Sequence, residues 1–550
     1  MEDTIREAIA KALTQAGASD VSFAVEWPAD LAHGDYATNA ALAAAKSLGR
    51  NPKELAEELA SHLRDVLGEA VESVKTAGPG FINFTLARPV FTGIVKEIAV
   101  LGADWGRGSA KEGKRYSIEY SCPNPFKEMH IGHLMSTVIG ETLSRVIENS
   151  GATVIRDSYG GDVGPHVAKA LWGLRSKGIV EPNDAKEIGE AYAHGSRAYE
   201  ESEDAKKEID ELNRAIYIGE DGELMNLWRR GREISTEAFR NLYALLDTHF
   251  DYFFFESETA GPGLELVRDG LAKGIFKESE GAVIYDGERS GLHTLVFITS
   301  KGTPTYEAKE VGLAFLVEER VPNDVRYILT AAEQVGHFAV VKAALEELAP
   351  LVGAKTTHVP HGFLRLTSGK MSSREGNVIT AAELIEDVRT KASEKNDDPL
   401  IAQQVAIGAI KYMILRQAPG GDIIFDPETS LSLDGDSGPY LQYALVRARS
   451  VLAQAQVEAK PEEAAPATPY KLERLLVRFP GVAAEAAREN APQKITQYLT
   501  QLAGEWNSFY AQERILGGDY ENYKLAVAKA FVTTMENGLR ILAIPTPERM

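Results

Sequence analysis

One run of residues limits the fold of this chain more than any other: a strand, a loop, a long helix and a second strand between Lys114 and Gly160. Its pieces are KRYSIEYS, CPNPFKEM, HIGHLMSTVIGETLSRVIENSG and ATVIRDSYG. Two strands joined through a helix of that length lie parallel, because the connection is a crossover and not a hairpin. Such a unit opens a doubly wound nucleotide-binding sheet, with ligands expected beyond the strand ends. The helix starts at His130-Ile131-Gly132-His133. A helix N-terminus offers unpaired N–H groups and partial positive charge, which suit phosphate. His130 and His133 stand three apart and can share a face, and Gly132 has no side chain to hold a purine ring off the backbone. Taken alone, the string also fits a helix that starts with two surface histidines.

A chain of 550 residues exceeds one compact core, so several domains are expected. Residues 1–88 read as a small α/β domain: helices at the start, then PKELAEELASHLRDVL with Pro52 in its first turn, then the glycine turn and alternating strand GPGFINFTL. A connector leads to the first half of the doubly wound domain, giving 89–175. Residues 176–252 are charged and helical and read as an insertion. The second half, 253–380, resumes with AVIYD, HTLVFITS, TYEAKEVGLAFLVEE and VRYILTA. From there to the end, as 381–435 and 436–550, the pattern is wholly helical. The fold class is therefore multidomain α/β: a Rossmann-type doubly wound domain with a helical insertion, a small N-terminal α/β domain and a C-terminal all-α bundle.

The net charge of −21 argues against a nucleic-acid binder, since phosphate contacts need local positive charge. Its distribution matters more than its sum. Residues 434–550 hold 13 basic and 14 acidic side chains, whereas 181–250 hold 9 and 17, so the acidity sits away from the C-terminal end. Cys122 is the one cysteine, which excludes an intrachain disulfide and a Cys-rich zinc site. No apolar run approaches a membrane span, and the first residues lack the pattern of a signal peptide, so the cytoplasm is the expected compartment.

A second string, Gly369-Lys370-Met371-Ser372-Ser373-Arg374, lies 240 residues after the first. Lys370 and Arg374 offer two cations for a leaving pyrophosphate, and the serines offer hydrogen bonds. In this order the two strings resemble the paired nucleotide motifs of the class I aminoacyl-tRNA synthetases. Within that class, the arginyl-tRNA synthetases are the family most similar to the rest of the chain. Glu119-Tyr120-Ser121-Cys122-Pro123-Asn124-Pro125-Phe126-Lys127 resembles their S-x-P-N-x-x-K approach. Tyr306 to Gly312 resembles Y-x-x-x-D-x-G, with Glu310 where the family usually has Asp. Gln334 and His337 resemble the Q-x-x-H step, and SGPYLQYA at 437–444 resembles the start of the anticodon domain.

The resemblance implies an arginine–tRNA ligase: attack of the arginine carboxylate on ATP gives arginyl-adenylate, and the arginine then passes to the 3′-terminal ribose of tRNA(Arg). His130, His133, Lys127 and Lys370 become the expected catalytic group. ATP is expected on His130, Gly132, His133, His337 and the Lys370, Met371, Ser372, Ser373 and Arg374 loop, with Mg2+ carried by its phosphates and no zinc. Glu119 and Glu310 are expected to face the guanidinium, with Tyr306, Gln334, Ser121 and Asn124 around the rest of the amino acid. A guanidinium calls for planar charged acceptors in a partly dry pocket. Tyr440, Tyr443 and Tyr510 are expected at the anticodon, and Phe81 and Asn83 at the tRNA elbow, although the last two also read as ordinary strand residues. Tyr498, Trp506 and Phe509 read as core of a helical bundle. A monomer is the default. The rival readings are another class I synthetase, a small adenylate-forming ligase, or a decayed synthetase kept as an RNA-binding protein.

Overall fold

The computed structural model describes residues 1–366 and 379–550. At its centre is a five-stranded, all-parallel sheet. In spatial order its strands are Thr356–His361, Val325–Ala331, Arg115–Glu119, Thr153–Gly160 and Tyr252–Phe255. The chain starts in the middle, moves outward to one edge and then crosses to the other side. The order reverses between Arg115–Glu119 and Val325–Ala331, and the crevice at such a reversal is where a doubly wound sheet binds its ligand. The register sets Glu119 level with Asp157 on one neighbour and with Ile328 on the other.

The helix Ile131–Asn149 runs beneath this sheet and is buried on nearly every side. It passes close to the strand end because residue 140 is glycine: a Cβ there would meet the Tyr120 ring at 2.2 Å. Tyr120 in turn gives its hydroxyl to Glu141 at 2.8 Å, and Arg156 pairs with the same carboxylate at 2.9 Å. These two bonds use the second strand to fix the helix against the first.

The insertion consists of helices Ala185–Glu201, Glu203–Ile218 and Gly222–Leu245, capped by Asp184, Ser202 and Asp221. Each cap oxygen accepts from a first-turn N–H that would otherwise have no partner. Together with Pro165–Ser176 they enclose a core of Leu171, Ile188, Ile209, Leu224 and Trp228.

Two sequence expectations change. AVIYD and HTLVFITS do not continue the parallel sheet. Ala282–Tyr285 and Leu295–Ile298 instead join Lys277–Ser279 in a separate antiparallel sheet. The two residues between Ser279 and Ala282, Glu280 and Gly281, both have positive φ, which is the tight hairpin turn. The nine residues that follow Tyr285 are too few for a crossover. The stretch after the second string is also not wholly helical. Ile423–Phe425 forms a parallel pair with Leu364–Leu366, because Phe363 accepts the Ile423 N–H at 2.7 Å and gives its own N–H to Asp422 at 3.0 Å.

At the N-terminus, a four-stranded antiparallel sheet is covered by helices Glu2–Gln15, Ala40–Leu48 and Pro52–Leu67. At the other end, Gly438–Gln454, Gln493–Gln512 and Glu521–Ile541 form the backbone of a helical bundle. The two domains meet through buried charge: Arg474 pairs with Asp35, and Arg88 with Glu473 at 2.8 Å. Among the described residues no helix is long and apolar enough to cross a membrane.

Candidate active site

The loop from Ser121 to Met129 leaves the central strand at the reversal point and feeds the helix of the two histidines. Ser121, Cys122 and Phe126 all have positive φ. For residues with a Cβ this conformation costs about 1–2 kcal/mol each, so the surroundings must hold it. The Ser121 hydroxyl lies 3.0 Å from that of Tyr243 and 2.8 Å from that of Thr137. Asn124 Oδ1 accepts the Gly161 N–H at 2.8 Å, tying the loop to the end of the next strand. The Phe126 ring is fully buried in the core of the insertion, and its N–H goes to Ser235 at 3.0 Å. Lys127 extends its ammonium over the Tyr192 ring, 4.9 Å from the centroid, which is a cation–π contact with an insertion helix.

Gly231 makes room for Phe126, since a Cβ there would come within 2.3 Å of the ring. Gly231→Ala is therefore expected to displace the loop and lower turnover by about 10- to 100-fold. The check is the steady-state rate of the variant, alongside a thermal melt to show that it is folded. An unchanged rate would mean that the loop does not depend on its Phe126 anchor.

His130 and His133 cap the helix reciprocally. Nδ1 of His130 accepts the Gly132 N–H at 3.1 Å, and Nδ1 of His133 accepts the His130 N–H at 3.2 Å. Both Nδ1 atoms are acceptors, so each ring carries its proton on Nε2. The rings stack with centroids 3.7 Å apart. Burial, with Lys127 close by, holds both below the ordinary histidine range, and His133 is brought down to about 3. Near neutral pH they are uncharged Nε2–H donors. The first requirement met by Gly132 is space for His130, whose Cε1 would stand 2.9 Å from an added Cβ.

Lys370, Met371, Ser372, Ser373 and Arg374 lie outside the described residues. The segment that follows them is joined to the histidine helix by main chain. Ile131 gives its N–H to Ile379 at 3.2 Å, Ala381 gives its own to Met129 at 2.8 Å, and His130 bridges Thr380.

The carboxylates gather at the same end of the central strand, on it, on its neighbour and on the helix Tyr306–Arg320. Glu119, Glu310 and Asp157 are all buried. Glu119, expected to face a substrate guanidinium, is paired with the protein's own Arg326 at 2.7 Å. Asp157 accepts the Ser117 hydroxyl at 2.5 Å and is pushed up to about 7, by burial first and Glu119 second. Glu310 lies beneath Tyr306, with Oε1 buried and without a hydrogen-bond partner. Burial, reinforced by Glu119, pushes it up to about 8. His337 stands 4.9 Å from the Tyr306 ring and pairs with Glu307 at 3.4 Å, while its Nε2 has no partner. Gln334 is half-buried and forms the N-cap of the helix that carries His337.

The sequence reading did not single out Arg326, Asp157, Tyr192 or Tyr243. For Arg326 a signal existed, because a charged residue inside an apolar central strand needs a buried partner. The other three look like ordinary sheet and helix positions. Of the aromatic RNA candidates, Tyr443 and Tyr510 are exposed, and the Arg447 guanidinium lies 4.0 Å from the Tyr510 ring. Tyr440 is half-buried and its hydroxyl accepts from Asn507. Tyr498, Trp506 and Phe509 are core. Phe81 is exposed and Asn83 half-buried on a strand of the N-terminal sheet.

Comparison with known proteins accounts for nearly all of the chain. Residues 96–426 match the family model for the tRNA synthetases class I (R) catalytic domain, 2–86 the arginyl tRNA synthetase N terminal domain, and 441–550 the DALR anticodon binding domain. An arginine–tRNA ligase of Treponema pallidum is 30% identical, with 99% of both chains covered. One from Limosilactobacillus reuteri is also 30% identical over 99% of each. The structure of the Thermus thermophilus arginyl-tRNA synthetase superposes with a TM-score of 0.81 at 27% identity over the full length of both chains. That of the Plasmodium falciparum enzyme, at 20% identity, shares the fold with a TM-score of 0.82 over 100% of this chain and 98% of that one. With a reversal-point crevice, a capped histidine pair and a buried carboxylate pocket in one catalytic domain, the chain belongs to the class I arginyl-tRNA synthetases, the arginine–tRNA ligases.

Proposed function

We propose that this chain activates L-arginine with ATP and loads it onto tRNA(Arg), with the two steps divided among the residues described above. The Nε2–H groups of His130 and His133 and the free N–H groups of their helix meet the triphosphate. Lys127 and Lys370 offset the charge that develops on the α-phosphate, and Ser372, Ser373, Arg374, Met371 and His337 bind the nucleotide. Magnesium travels with the ATP phosphates. No covalent intermediate with the protein is needed, because alignment and charge stabilisation suffice for this displacement.

Glu310 takes the arginine side chain, with Tyr306 and Gln334 at the rim. The observation that carries this reading is the buried, unpartnered Oε1 of Glu310. A buried acceptor without a donor is costly, and a guanidinium supplies donors together with the opposite charge. Asn124 spends its amide oxygen on Gly161, which leaves its –NH2 as the group for the carboxylate end of the substrate. Ser121 steadies the same loop. The tRNA runs from Phe81 and Asn83 in domain 1–88, past the 381–435 region, to Tyr440, Tyr443 and Tyr510 in domain 436–550.

The test is charging of total tRNA with each of the twenty amino acids in the presence of ATP and Mg2+. Arginine alone is expected to be incorporated. Incorporation of a different amino acid would remove Glu310 from its role, and a lack of any incorporation would favour a non-catalytic RNA-binding protein.

A further inference from the structure

Arg326 is a buried basic side chain set among the buried carboxylates of the pocket, and the established reaction does not call for it. It projects from Val325–Ala331, is 2% exposed, and gives Nη2 to Glu119 at 2.7 Å. Its Nε has no partner. The register places Arg326 beside Ser117, and Glu119 beside both Ile328 and Asp157. In a parallel sheet such neighbours share a face, so Ser117, Glu119, Asp157 and Arg326 form one polar patch. The helix Tyr306–Arg320, with Glu310 on it, covers that patch, and Glu310, Arg326, Thr356, His358, Phe338 and Lys342 line one small cavity. Three carboxylates therefore share one fixed guanidinium. Burial resists that imbalance and raises Asp157 and Glu310 toward neutrality.

We propose that Arg326 is a positioning residue for arginine selection. Its guanidinium engages Glu119 from inside the fold, so that Glu119 holds Arg326 while the free oxygen of Glu310 remains for the substrate. The proposal rests on Glu310 being the arginine pocket. Its consequence is that the site accepts one incoming cation at one depth. Without Arg326, Glu119 becomes a second bare carboxylate beneath the first, and the substrate guanidinium can sink onto it and draw the α-carboxylate away from the ATP. Removing Glu119 as well abolishes that competing site, because a buried pair is more damaging to break than to delete.

The experiment is aminoacylation kinetics with arginine and ATP varied separately. The proteins are the native chain, Arg326→Met, Arg326→Ala, Glu119→Gln with Arg326→Met, and Glu310→Gln. Arg326→Met is expected to raise the KM for arginine by about 30-fold, with the KM for ATP changed less than about twofold. The double variant is expected to recover about tenfold of that loss. Methylguanidinium at millimolar concentration is expected to lower the raised KM of Arg326→Ala by filling the vacated space. An unchanged KM in Arg326→Met overturns the proposal. So does a double variant as impaired as the single one, since Glu119 would then be serving the substrate itself. If Arg326→Met fails to fold, the KM of the double variant decides. Glu310→Gln separates the two layers: no change in its KM for arginine removes the pocket reading, whereas a raised KM there with no recovery in the double variant removes only the role of Arg326.

Discussion

Glu310→Ala is expected to lower kcat/KM for arginine by about 10³-fold while leaving the KM for ATP within about twofold. The size follows from what is lost: a buried, charged acceptor at the end of a pocket that otherwise offers a phenol and an amide. Glu310→Gln keeps the shape and removes the charge, so most of the loss should appear there too. Glu310→Asp restores the residue usual in the family but shortens the reach by a methylene in a cavity built for Glu, and about a tenfold loss is expected. The effect also depends on pH, with a definite sign. Glu310 is raised to about 8 by burial and by Glu119; Arg326 and Tyr306 oppose the shift and Glu256 adds to it. The empty pocket is therefore mostly protonated at pH 7, and the substrate cation binds the ionised form. Arginine must displace that proton, so its affinity should strengthen as pH rises from 6 to 8, and the dependence should be flat in Glu310→Gln. Arginine KM measured across this window is the check; a native profile as flat as that of the variant would refute the assignment.

Replacing His133 by alanine is expected to lower kcat for adenylate formation by about 10²- to 10³-fold, with the smaller part of the effect in KM for ATP. Two things are lost together: the Nε2–H proposed to meet the phosphates and the cap that accepts the His130 N–H. His133→Asn should retain part of the activity, because an amide N–H can stand in for the imidazole donor. Both rings are held below the ordinary histidine range by burial. At saturating arginine, kcat should therefore show no histidine inflection between pH 6 and 8. An inflection near 6.5 that disappears in His133→Asn would show that the ring works as a charged imidazolium, contrary to the geometry.

Much of this architecture could be read from the residues, for reasons that differ from part to part. The strand, loop and helix around His130 were legible because glycine, histidine and apolar period all point to one local structure. The hairpin at Glu280 and Gly281 was not, because AVIYD and HTLVFITS have the same apolar content as buried parallel strands, and only loop length and turn dihedrals separate the two. The strand Ile423–Phe425 is three residues long and takes its identity from Leu364–Leu366, nearly sixty positions earlier. In the pocket, the presence of Glu119 and Glu310 was legible as chemistry, but their partners were not. That Glu119 faces Arg326 depends on the pairing of strands 207 positions apart. Tyr243 and Tyr192 reach the loop from an insertion whose placement no local pattern reveals.

The seating of Phe126 in the insertion core bears on how far this enzyme can be reduced. A doubly wound sheet suggests modularity, in which an acidic helical insert is an accessory and its removal yields a smaller catalyst. Here the dependence runs the other way. A chain shortened between Ser176 and Tyr252 would leave a phenylalanine bare beside the histidine helix, Lys127 without the ring beneath its ammonium, and Ser121 without the Tyr243 hydroxyl. The three loop residues with positive φ would then lose a large part of what holds them, with Thr137 and Gly161 left as the remaining ties. The insert acts as the keystone of the loop that leads into the histidine helix, so a minimal synthetase cut from this sequence would have to keep it.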